Sequence, residues 1–187
     1  MIAKIKKKFN LDLPDWCWKV IKELALELSI LRTKMSENVY AKGTDKWRGD
    51  KEQDISYKGM LGEIASRFYH AKKGTKAIWS PAVDTQPVVG PDAILDGSKI
   101  DVKTTEKYYG SANNTSKSLQ VNKPSHDNTS KSVDEYHFIK VWDKTEEATV
   151  YVVDHSEVDN WEVKSKHSDY YEAYIPDELL FDDKDND

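Results

Sequence analysis

Apolar residues recur at Val20, Ile21, Leu24, Leu28, Leu31 and Met35. That spacing predicts a helix from Pro14 to about Met35, and Pro14 suits its first turn. A second helix is predicted from about Ile55 to Lys72. Met60, Leu61, Ile64, Ala65, Phe68 and Ala71 fall on one arc of it, with Glu63 and Arg67 at the edge. Gly74 is a helix stop. Beyond it the period shortens to two. Lys76 to Ser80 reads as a short strand. Asp92 to Leu95 and Ser98 to Thr104 flank Asp96-Gly97, a strong hairpin signal. Ser118 to Val121 is a further short strand, and Tyr136 to Trp142 and Ala148 to Val153 form two more around a charged turn. Ser36 to Asp54 and Thr105 to Lys117 are polar and aperiodic, which predicts loops. Lys117 to Val133, with Pro124 and several Ser and Thr residues, does not read as a helix. Helices first and a sheet after imply an α/β or α+β fold.

A length of 187 residues suits a single domain with a proper core. Within it, residues 1–54 read as an N-terminal helix and polar loop packed on a core of 55–187 that ends in an extension. The formal net charge of −5 counts against a nonspecific nucleic-acid coat protein, which would be basic. It leaves room for an enzyme that gathers carboxylates around a metal. Lys4, Lys6, Lys7 and Lys8, and the acidic run Asp182, Asp183, Asp185 and Asp187, read as solvated termini. Cys17 is the single cysteine. Between Trp16 and Trp18 it reads as a packed thiol, and no internal disulfide can form. The absence of a long apolar run or a signal peptide predicts a cytoplasmic protein. The five histidines are scattered without zinc-site spacing, which predicts surface or packed side chains. Neither a phosphate loop nor a dinucleotide fingerprint is present.

The chemistry concentrates between Gly90 and Lys103. With Asp96-Gly97 as a two-residue turn, Leu95 faces Ser98, Ile94 faces Lys99, Ala93 faces Ile100 and Asp92 faces Asp101. Alternation then puts Ile100 and Val102 on one face, Asp101 and Lys103 on the other. Two carboxylates directly opposite destabilise a sheet, and a divalent cation reverses that interaction. Two acids and a lysine around one point suit phosphodiester hydrolysis. A turn at Gly97-Ser98 would instead set Asp92 against Lys103 as an ordinary cross-strand ion pair. Glu63 has its own plain reading, an exposed i,i+4 pair with Arg67.

Pro91-Asp92 followed by Asp101-Val102-Lys103 resembles the signature of the PD-(D/E)XK nuclease superfamily, which includes many type II restriction enzymes. Gly62-Glu63-Ile64-Ala65 on the preceding helix resembles the acidic element many members carry there. The likeness covers roughly Ile55 to Val153. It implies an α/β fold, a restriction-endonuclease-like mixed central sheet flanked by helices, here with an N-terminal helical extension. It also implies a metal-dependent DNA endonuclease whose product carries a 5′-phosphate. Asp92 and Asp101 would be the main ligands of Mg²⁺, with Mn²⁺ able to substitute. The backbone carbonyl of Val102 would lie alongside, and Glu63 would bind directly or through water. Lys103 would position the attacking water. Nucleic-acid contacts would come from Lys107, Tyr108, Asn113, Asn114 and Lys117 just past the hairpin, from Arg48 in the polar loop, and from Gln120. Ser118 to Val121 and Asp134 to Val141 resemble later core strands of the family. The chain departs from the pattern in lacking a helix between them. A homodimer stays open, as does a nuclease fold that binds nucleic acid without turnover. Pro176-Asp177 lacks a following acid-x-lysine and reads as a decoy.

Overall fold

The strand from Glu147 to Asp154 is buried at every position but its two ends. A strand apolar on both sides must be covered on both sides, and that requirement organises the molecule. The computed structural model describes residues 1–40, 52–81, 90–106, 117–128, 132–142, 146–165 and 168–180. In chain order these form β1 (Lys7–Asn10), α1 (Asp15–Tyr40), α2 (Glu52–Lys73), β2 (Ala77–Trp79), β3 (Ala93–Leu95), β4 (Ser98–Glu106), β5 (Ser118–Asn122), α3 (Lys123–His126), β6 (Glu135–Trp142), β7 (Glu147–Asp154), α4 (His155–Val158), β8 (Glu162–Ser165) and β9 (Asp169–Tyr174), with a 3-10 turn at Asp177–Leu179.

Six strands make one mixed sheet in the order β1-β7-β6-β4-β3-β2. β4 and β6 run parallel, and the other pairs are antiparallel. One face carries Ile100, Val102, Ile139, Val141, Val150 and Val152 against Trp18, Ile21 and Ala25 of α1 and Met60, Leu61, Ile64 and Ala65 of α2. The other carries Tyr136, Phe138, Tyr151 and Val153 against a three-stranded sheet, β5-β9-β8, with Leu119, Val121, Tyr171 and Ala173. The layers are therefore helices, mixed sheet, small sheet. Cys17 is buried in the helical layer, as its neighbours predict.

Several expectations need correction. α1 does not stop near Met35 but continues to Tyr40, and α2 begins at Glu52. The polar loop expected from Ser36 to Asp54 is thus helical at both ends. Nothing in Ser36–Tyr40 breaks a helix already nucleated on packed turns. The basic N-terminus is not simply solvated. Lys7–Asn10 pairs with β7, and Lys6 Nζ reaches Asp154 Oδ1 at 2.9 Å and Glu135 as well. β4 extends to Glu106, beyond Thr104, because its parallel ladder with β6 runs to Glu106↔Val141. β5 is not a strand of the main sheet. It pairs with β9 through Leu119↔Ala173 and Val121↔Tyr171. Parallel strands need a crossover, and among its described residues stand β5 and the four-residue α3, with no long helix, as the poor helix signal of Lys117–Val133 implies. No helix among the described residues is long and apolar enough to cross a membrane.

Candidate active site

The turn between β3 and β4 decides the site. Asp96 (φ 49°) and Gly97 (φ 98°) both occupy the left-handed region, as a type I′ turn requires. Leu95 pairs with Ser98, Ile94 with Lys99 and Ala93 with Ile100. The alternative register, with Asp92 opposite Lys103, is excluded.

Asp92 follows at the end of this ladder. Its amide donates to the Ile100 carbonyl at 2.8 Å, and its carbonyl accepts from the Ser80 amide at 2.9 Å. Its carboxylate Oδ2 accepts from the Val102 amide at 2.7 Å. The Val102 N–H points along the sheet, so the Asp92 carboxylate lies near the sheet plane where backbone pairing stops. From there its charge acts on Glu63 of the helical face, and the charge of Asp101 on the other face acts on it. On the face of Tyr136 lies Asp101, which is 1% exposed and whose charge acts on Asp92. Lys103 Nζ is ion-paired to Asp101 Oδ2, with the lysine side chain 29% exposed.

Glu63 approaches from the helical face. α2 crosses β4 at Gly62, where a Cβ would lie 2.0 Å from Thr104 Oγ1. Only glycine allows that approach, and it delivers the next residue to the strand's edge. Ala65, fully buried, keeps the helix close. The Gly-Glu-x-Ala pattern thus has a steric cause. Burial, then the charge of Asp92, pushes Glu63 up to about 7, against Arg32, Arg67 and Lys103. Burial, then the charge of Asp101, pushes Asp92 up to about 6, against Lys103 and the Val102 amide. Three acids and a lysine therefore share one electrostatic neighbourhood, in which the carboxylates oppose one another's ionisation.

Neither a family model nor a curated protein nor a solved structure matches this chain.

The remaining candidates fare differently. Arg67 is not simply the ion-pair partner of Glu63. Its guanidinium donates to the Ser80 carbonyl at 2.7 Å and lies over the Trp79 ring at 4.9 Å, bracing the chain that leads to the hairpin. Gln120, on the small sheet, commits its amide to Glu172 Oε1 at 2.8 Å. Lys117 pairs with Asp177, so the Pro176-Asp177 dipeptide serves as an anchor. Arg48, Lys107, Tyr108, Asn113 and Asn114 lie outside the described residues.

One group escaped the sequence reading. His126 and His155 are not scattered but stacked, with ring centroids 4.0 Å apart. Asp159 joins them, its Oδ1 2.9 Å from His126 Nε2. His155 and Asp159 stand four residues apart, a spacing that places two side chains on one helical face, and that signal was present in the sequence. His126 has no such local cue. α3 packs against β5 and β9 of the small sheet, and the packing of that sheet on the main one brings His126 to Tyr136 and His155.

Proposed function

We propose that this chain is a metal-dependent DNA endonuclease of the PD-(D/E)XK kind, acting through Glu63, Asp92, Asp101 and Lys103. The observation that carries the reading is the placement of Asp92 at the end of the β3–β4 ladder, acted on by the charge of Asp101 and itself acting on Glu63. Burial and mutual repulsion raise two of them to about 6 and about 7. That arrangement costs stability unless positive charge is supplied, and Arg32, Arg67 and Lys103 supply only part of it. An all-oxygen donor set fits a hard cation such as Mg²⁺, with Mn²⁺ as a substitute. A mixed six-stranded sheet with helices on one face agrees in outline with a restriction-endonuclease-like core, while the crossover through β5 and α3 departs from it.

Asp92 and Asp101 would be the principal ligands, with Glu63 joining directly or through water. A cation held there would polarise a phosphoryl oxygen and acidify a water. Lys103, with its head at Asp101 and part of its side chain exposed, can orient that water or neutralise charge developing on the phosphate. The Val102 amide fixes one Asp92 oxygen and leaves the other for coordination.

Incubation of the full chain with supercoiled plasmid and Mg²⁺, beside an EDTA control, tests the proposal. Nicking that needs the metal and disappears in Asp101→Asn and Lys103→Ala is expected. Cutting that persists in Asp101→Asn would remove this site from consideration. A lack of cutting on every DNA and RNA form, with retained binding, would favour the non-hydrolytic alternative.

A further inference from the structure

The two stacked histidines and Asp159 line a cavity of about 400 Å³ beside β6. We infer that His126, His155 and Asp159 form a second cation site, one for a transition-metal ion of the Zn²⁺ class. The site neighbours the carboxylate centre, since the charge of Asp101 acts on His155 and Tyr136, but it shares no donor with it, and its existence does not depend on nuclease activity.

The three donors come from different places. His126 ends α3, whose first turn is capped by Asn122 Oδ1 accepting from the Ser125 amide at 3.1 Å. His155 opens α4, its amide donating to the Asp134 carbonyl at 2.9 Å. Asp159 follows α4 with its side chain 62% exposed. One ligand atom from each lies within 4.8 Å of the other two. Donors around a common ion sit about 3.3 Å apart, given bond lengths of about 2.0–2.2 Å. The exposed Asp159 carboxylate and the half-buried, stacked His155 ring would have to turn to reach that spacing.

The support behind His126 is that of a ligand. Nε2 faces Asp159, and Nδ1 lies 2.9 Å from the Tyr136 hydroxyl. A metal-binding imidazole characteristically has its second nitrogen held in this way, which fixes the tautomer and the ring plane. Tyr136 is itself fully buried on β6, so that orientation is set by the core. Two imidazoles with one carboxylate prefer Zn²⁺ or its neighbours to Mg²⁺ or Ca²⁺. Three protein ligands beside an open cavity leave a coordination position for water or an exogenous group.

The test uses the full chain, stripped with EDTA and titrated with Co²⁺, whose visible absorption reports imidazole coordination. With excess Mg²⁺ present to fill the carboxylate centre, one Co²⁺ per chain that gives the visible band and is displaced by equimolar Zn²⁺ is expected. Affinity should fall about tenfold or more in both Asp159→Asn and His155→Gln, and stay unchanged in Asp92→Asn. Asp159 is exposed, so its variant should keep the wild-type thermal unfolding midpoint in EDTA and lose only the rise that Zn²⁺ induces. No cobalt band in the folded wild type would overturn the inference. So would a band that survives both variants, or one removed by Asp92→Asn alone.

Discussion

Replacing Glu63 by Gln should stabilise the metal-free protein, and the gain should depend on pH in a definite way. Glu63 ionises at about 7 in the folded chain against an ordinary 4.5, mainly because it is buried and secondly because Asp92 is near. Below about pH 4.5 the folded and unfolded chains both hold the proton, and the carboxyl contributes no difference. Between 4.5 and 7 the folded chain binds more protons, so raising the pH destabilises it. Above about 7 the full penalty is present. Moving a carboxyl from 4.5 to about 7 corresponds to about 3 kcal/mol. Gln keeps the size and removes the charge, but its amide also needs partners. The net gain should therefore be about 2 kcal/mol at pH 8, shrinking to below about 1 kcal/mol at pH 5. Urea unfolding in EDTA at both values, with an unchanged denaturant slope, measures it. Excess Mg²⁺ should stabilise the wild type more than the variant at pH 8. An equal difference at pH 5 and pH 8 would refute the claim that a buried negative charge is responsible.

Gly62→Ala should cost about 1–3 kcal/mol, because its Cβ would collide with Thr104. Adding Thr104→Ala removes the two nearest atoms, so a thermal-melt double-mutant cycle should show less than additive loss. Gly97→Ala, at φ 98°, should cost about 1 kcal/mol by the same assay and leave the urea slope unchanged. Lys140 is buried, donates to the Ser118 carbonyl at 2.8 Å, and is pushed down to about 8 by burial. As pH falls from about 10.5 to 8 the folded chain binds fewer protons than the unfolded one and loses stability. Lys140→Met should thus stabilise by about 1–2 kcal/mol at pH 7 after the lost hydrogen bond is counted, with the gain fading toward pH 10.

The local elements were legible in the residues. Helical spacing located α2, alternation located β6 and β7, and Asp96-Gly97 set the hairpin register residue by residue. These signals are short-range, since they depend on backbone preferences and on the period of burial along one segment. That ladder stops at Ala93↔Ile100, one residue short of the expected Asp92–Asp101 pair, and Asp92 turns its carboxylate to the Val102 amide. Which layer each segment joined was another matter. Alternation made Ser118–Asn122 a strand but did not say that it would pair with β9. The lysine-rich start did not announce the strand that closes the sheet beside β7. A period says that a face is buried, not against what. The order of Glu63 before the hairpin suggested a site, but its distance from Asp92 was settled only by α2 lying against Thr104 at Gly62. Likewise His126 reaches His155 only because two sheets pack face to face. Contacts between residues far apart in the chain are decided by how the layers close, and no local preference encodes that.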